Sequence, residues 1–327
     1  MKSDRHFTGT SEDVEREPEG SQVINTLHLL DFGLSRMLTK RVSAGLSLPV
    51  QFAERSSPIR DANRDVIDRD LQTANGIGDM SLLAQVWVLD PKVYMEGNIQ
   101  FGVGVKFPTG DTDVRHQATI RSGNNYSRQE RTVDQSITPG DGGFGTILTA
   151  LMFRRIAERV TVFAEGRYLI NPRETNGTPT FRGGSGEAIM SVPDSYLARI
   201  GAATPLKFFE RIHPFFEKSP ISFSLGGRIE GVPVHDLAGG SSGFRRPGYA
   251  ISIEPGLAWV HGMHAFAVST PVTLYRDRQK SLPDEQATPE RHGDAAFADY
   301  MVLFSYTYRF GGSGVVAAEP AGAPAVQ

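Results

Sequence analysis

Apolar and polar side chains alternate along much of this chain with a period of two, in stretches about ten residues long. In Val93–Phe107, Met95, Ile99, Phe101, Val103, Val105 and Phe107 fall on one parity. Glu96, Asn98, Gln100, Gly102, Gly104 and Lys106 fall on the other. Tyr249–Val260 sets Tyr249, Ile251, Ile253, Leu257 and Trp259 against Ala250, Ser252, Glu254, Gly256 and Ala258. Ile221–Ile229 opposes Ile221, Phe223, Leu225 and Ile229 to Ser222, Ser224 and Arg228. A helix repeats every 3.6 residues and cannot be written this way. The pattern predicts roughly eleven strands, over 22–35, 41–53, 79–89, 93–107, 143–154, 159–170, 195–205, 219–234, 249–260, 264–276 and 298–310.

The connections alternate too. Short turns are expected around Leu38–Lys40, Asp90–Lys92, Arg155–Glu158 and His261–Met263, with long polar stretches at 54–78, 108–142, 171–194, 235–248 and 277–297. Short turns on one side and long loops on the other are the arrangement of an antiparallel transmembrane β-barrel. Lys207–Lys218 departs from it, and its four phenylalanines suit an insertion at the membrane interface or a short helix. Within the strands, Glu96, Lys106, Glu165, Arg167, Arg199, Arg228, Glu230, Glu254 and Arg309 all share parity with the small or polar residues. A membrane barrel needs that segregation, because a Lys or Arg facing lipid at mid-bilayer costs about 2–4 kcal/mol. A soluble sandwich or lipocalin would show the same alternation with the apolar set inside. Strand number, loop asymmetry and the last strand favour the membrane.

That strand, Tyr300–Phe310, places Tyr300, Val302, Phe304, Tyr306, Tyr308 and Phe310 on one parity. An aromatic strand ending in Phe resembles the signal read by the barrel-assembly machinery, with Tyr306, Tyr308 and Phe310 as its core. The implied divisions are a charged extracellular-loop segment at 1–20, the barrel at 21–310 and a disordered periplasmic tail at 311–327. Met1–His6 lacks the apolar core of a secretory signal. Bacterial single-chain barrels have an even strand number with both ends in the periplasm. Counting back from Phe310 sends the strand at 22–35 towards the periplasm, so one further ascending strand and a signal peptide are expected upstream. Twelve strands would result.

Composition narrows the function. Lys+Arg 34 against Asp+Glu 37 gives no basic grip on nucleic acid. Mean hydropathy is −0.27, and nothing approaches the roughly eighteen unbroken apolar residues of a membrane helix. The chain has no cysteine, hence no thiolate nucleophile and no disulfide.

Several glycine-rich stretches carry a resemblance: Gly76-Ile77-Gly78-Asp79, Gly104-Val105-Lys106-Phe107-Pro108-Thr109-Gly110-Asp111, Gly140-Asp141-Gly142-Gly143-Phe144-Gly145 and Ala296-Phe297-Ala298-Asp299-Tyr300. Over most of 21–310 the chain resembles the meta-pathway phenol-degradation family of transporter-like outer-membrane barrels. The resemblance implies a barrel that passes small, aromatic or hydrophobic molecules, without fixing a solute.

The sharpest constellation is a charged belt inside the lumen. Glu165, Arg167, Arg199, Arg228, Glu230 and Glu254 should reach similar heights on neighbouring strands, with Glu96 and Lys106 on the same inward parity. Such a belt serves either as an eyelet that filters solutes by charge or as paired filling of a narrow lumen. Pro49, Pro108, Pro172, Pro233 and Pro271 are expected at the outer rim, where a missing N–H loosens the ladder. Arg60–Asp68 lacks the Gly and Glu of a calcium loop, and His261 with His264 brackets a turn without further ligands. No Ser stands beside a His in a recognisable catalytic motif, so no catalytic residue, metal or cofactor is assigned. The expectation is a passive outer-membrane channel; the alternative is a closed structural or surface-binding barrel whose charges plug the lumen.

Overall fold

The computed structural model describes residues 1–123, 125–182, 184 and 186–310. The expected tail at 311–327 lies outside the described residues. The wall is one antiparallel sheet built from β1 (Lys2–Thr8), β2 (Ile24–Met37), β3 (Val42–Arg60), β4 (Val66–Ile77) and β5 (Ser81–Trp87). It continues through β6 (Gly97–Lys106), β7 (Gly145–Ala157), β8 (Val160–Ile170), β9 (Ser195–Pro205), β10 (Ile221–Val232) and β11 (Gly248–His261). It ends with β12 (His264–Ser269), β13 (Val272–Arg278), β14 (Ala295–Ala298) and β15 (Leu303–Tyr308).

Three of these strands are interrupted. β4 and β5 pair with successive parts of β3, with a slip of register across Gly78–Met80. β12 and β13 share β11 in the same way, and β14 and β15 flank Asp299–Val302. The order around the sheet starts on β14, passes through β1, β2 and β3, and finishes on β15. It therefore begins and ends on two segments of one C-terminal strand.

The faces answer the question the sequence left open. On β6, Phe101 and Val103 are 52% and 56% exposed, whereas Asn98 and Gln100 are 4% exposed. The same inversion holds on β10 and β11, where Leu225, Ile251, Ile253 and Leu257 are exposed and Arg228, Glu230, Ser252 and Glu254 are buried. Apolar side chains form the outer surface and charge lines the inside, opposite to a soluble barrel. No helix of the described residues is long and apolar enough to cross a membrane. Strands remain, and paired strands satisfy their backbone polar groups within the sheet.

Some expectations change. The segment 1–20, expected as loop, contains β1, which pairs with β14 and with the start of β2. Pro49 and Pro271 are not at the rim. Pro49 lies inside β3 opposite Asp31, because the β3–β4 hairpin runs outward to Arg60; Pro271 stands at the β12–β13 interruption. Within 108–142 the structure adds a hairpin, Arg115–Ser122 with Asn125–Thr132, which leans on β4 through Asp70 and His116. The phenylalanine-rich insertion forms a short helix, Phe208–Ile212, followed by a 3-10 turn at Pro214–Glu217.

Val103→Arg would place a cation on the outer face of β6. We expect a loss of about 2–4 kcal/mol in urea unfolding from lipid vesicles, with Val103→Leu unchanged.

Candidate functional site: the lumen

Two layers of charge line the interior. In the first, cross-strand pairing sets Arg199 directly opposite Glu165 on one side and Arg228 on the other. Arg199 Nη1 lies 3.3 Å from Glu254 Oε1, and its Nε lies 3.8 Å from Glu165 Oε2. Arg228 bonds Glu230 and stands 3.8 Å from Glu254 Oε2. The Ser269 hydroxyl donates to Glu254 at 2.7 Å. Five of the charges read from the sequence thus meet in one alternating chain. Period-two parity and antiparallel register bring them together, since inward residues on adjacent strands face each other in pairs.

The other three go elsewhere. Arg167 faces the lumen without a hydrogen bond or ion pair among the described residues. Glu96 is not inside: β6 begins only at Gly97, so Glu96 falls in the turn and pairs with Arg155 at 3.2 Å, both exposed. Lys106 meets Asp79 at 3.2 Å and bonds Asp141, away from the belt.

That Lys106 cluster is where three of the glycine-rich stretches converge. Asp79 accepts N–H groups from Gly110 at 3.0 Å and Asp141 at 3.1 Å, and the Thr109 hydroxyl donates to the Gly78 carbonyl at 2.7 Å. A Cβ on Gly110 would stand 2.6 Å from Gly140 Cα, so both positions must lack a side chain for these segments to touch.

The second layer comes from loops that fold inward in the outer half. The segment after the 115–132 hairpin makes a 3-10 turn at Gln135–Ile137, and Val133 and Ile137 pack on Ala53 and Ala74 of the inner wall. Gln51 donates to the Ile137 carbonyl at 2.7 Å. Asp134, fully buried, receives Arg246 in a two-point contact at 2.9 and 2.8 Å and has Arg55 at 3.4 Å. Burial alone would raise the Asp134 pKa, but Arg246 and Arg55 outweigh it and hold the carboxyl far below its usual range. Beside it, Arg245 makes a two-point contact with Asp236 at 2.9 and 2.6 Å.

The lumen holds a cavity of about 750 Å³ bordered by both layers and reaching the outer hairpins at Arg60 and Arg121. Its lining includes Arg55, Arg167, Arg182, Arg246, Phe181 and Leu303. Arg182 sits over the Phe244 ring at 4.5 Å, its Nε buried without a hydrogen-bond partner among the described residues. Glu230 lines this cavity, whereas Arg199, Arg228 and Glu254 are buried among their own ion pairs.

The inward loops were not legible beforehand. Asp134 lies in a polar stretch with no periodicity, and its partner Arg246 is 112 residues away. A charge in a loop looks solvated until the loop's destination is known.

Comparison with known proteins supports the architecture. No protein-family profile matches the chain, and no curated protein sequence does. Among solved structures, it is similar to an outer-membrane channel from Pseudomonas putida, with a TM-score of 0.51 at 13% identity, covering 94% of this chain and 90% of that one. The OmpT outer-membrane protein of Vibrio cholerae aligns with a TM-score of 0.29 at 6% identity, covering 94% and 95%, too distant to weigh. At such identity the likeness speaks for fold, and the fold is that of an outer-membrane β-barrel.

Asp134→Asn would leave the buried Arg55 and the half-buried Arg246 beside a neutral group. We expect a loss of about 3 kcal/mol in denaturant unfolding at neutral pH. Because the folded-state pKa is depressed, this contribution is present above about pH 4 and is lost as pH falls further. The difference between wild type and variant should therefore shrink below that pH.

Proposed function

We propose that the chain is a passive channel of the bacterial outer membrane for small molecules, aromatic or hydrophobic ones among them, and a member of the meta-pathway phenol-degradation family of barrels. The observation that carries this reading is the cavity of about 750 Å³ inside an apolar-walled barrel. It is large enough for a small ring compound and small enough to select. Its lining mixes guanidinium groups with apolar contacts such as Leu29, Phe181 and Leu303, which suits solutes with a ring and a polar edge. The neighbour from Pseudomonas putida is itself described as a channel. No catalysis belongs to this reading: paired charges and amides are the equipment of a filter. Insertion by the barrel-assembly machinery, reading Tyr306, Tyr308 and Phe310, belongs to the same proposal; these three are exposed on the outer face of the last strand and beyond it.

One observation favours a second reading, a closed structural or surface-binding barrel. Arg199, Arg228 and Glu254 are buried in ion pairs within the lumen, the packing a plugged barrel requires. Conductance in planar bilayers separates the two. The channel reading expects discrete opening events from refolded protein, together with solute uptake into liposomes. Silence in both assays overturns it.

Arg199→Ala or Arg228→Ala should raise conductance or alter ion preference if the belt limits flow. Truncating Arg228 should also cost about 3–5 kcal/mol, because Glu230 and Glu254 lose their shared cation.

A further inference from the structure

β1 closes the order of the sheet in its outer half only. Met1 and Leu27 exchange hydrogen bonds, each N–H group donating to the other's carbonyl at 2.9 Å, and Lys2 and Ser3 stand opposite Thr26 and Asn25. On its other side β1 pairs with β14. Below Leu27, β2 runs on to Met37 and pairs with β3 along one edge. Along the other edge no partner appears among the described residues. β15 is in the same state: it pairs with β12, and its second edge has no partner among the described residues.

Backbone groups in a strand point alternately to either side. Leu27 turns its pair towards β1, so Leu29, Asp31, Gly33 and Ser35 turn theirs into the open seam. Unpaired backbone groups are strongly disfavoured in hydrocarbon, which offers them no hydrogen bond. Side-chain exposure marks the same place. On β6 and β11 one parity is buried; on β2 every residue from Leu30 to Met37 is exposed on both faces. That edge of β2 is unpaired among the described residues.

We propose that this seam between the inner halves of β2 and β15 takes one further β-strand, collinear with β1 and joined to it on the Met1 side. β1 already holds the two edges one strand apart at the top of the seam, and it runs antiparallel to both. A strand continuing from it needs no turn and meets two free edges at once, the arrangement exploited in strand addition. The register follows from Met1 opposite Leu27: each step before Met1 faces one step further along β2, so about ten residues reach Met37. Directly paired residues share a face of the sheet. The third, fifth and seventh residues before Met1 therefore face Leu30, Phe32 and Leu34 and carry apolar side chains towards lipid. The fourth, sixth and eighth face Asp31, Gly33 and Ser35 and are small or polar.

Because the chain contains no cysteine, the seam can be read by disulfide formation. The full chain carrying Ser35→Cys is refolded in vesicles, once as it stands and once extended before Met1 by ten residues of the stated pattern. The extension bears a single cysteine at the eighth place, opposite Ser35, or at the fifth. We expect a disulfide with Ser35→Cys from the eighth place and not from the fifth. Amide exchange of Leu29–Ser35 should slow by about a hundredfold or more relative to the unextended chain. Equal cross-linking from both places, or no slowing, overturns the proposal. So does protection of Leu29–Ser35 already present in the unextended chain, whether β2 pairs directly with β15 or with a second copy; dimer mass tells which.

Discussion

Hydrocarbon cannot hydrogen-bond, and the architecture depends on that. Any backbone or side-chain polar group at the outer surface of this wall would go unsatisfied, so the sheet turns apolar residues outward and sends charge inward. The interior then inherits a problem of its own, because buried ions are tolerated only in company. Glu165, Arg199, Glu254, Arg228 and Glu230 answer it by pairing strand to strand, and Asp134 with Arg246 and Arg55 answers it through a loop.

The two solutions differ in what they permit. The belt is made from neighbouring strands in fixed register, and its central members are buried. The outer layer is made from inward-folded segments pinned by a few contacts, such as Asp134 to Arg246 and Gln51 to the Ile137 carbonyl. The cavity that both layers border carries Arg167 and Arg182, which feel the charge of Asp31 and Asp134 respectively without an ion pair among the described residues.

Period-two patterning made the wall legible, as on β6, where Phe101 and Val103 oppose Gln100 and Lys106. It also placed the belt, because alternation and register together determine which inward charges meet. It failed where the chain stops being periodic. Lys2–Thr8 reads as a charged segment, yet it is a strand whose partners, Ala295–Ala298, lie at the far end of the chain. Glu96 shows the opposite error: its parity matches the lumen, but the strand has not yet begun there. The stretches Gly76–Asp79, Gly104–Asp111 and Gly140–Gly145 were visible as words without a meaning. The contact of Gly110 with Gly140 and the shared carboxylate of Asp79 supply one.

Which face of the sheet meets lipid is the proposition beneath all of this, and single-cysteine scanning of β6 tests it most directly. A fluorescent label placed in turn at Gln100, Phe101, Gly102 and Val103, in protein refolded into vesicles, is exposed to a lipid-phase quencher and then to an aqueous one. Strict alternation is expected, with Phe101 and Val103 quenched from the lipid and Gln100 and Gly102 shielded from it. Labels at all four sites responding alike, or Gln100 and Gly102 being the pair quenched from the lipid, would contradict it.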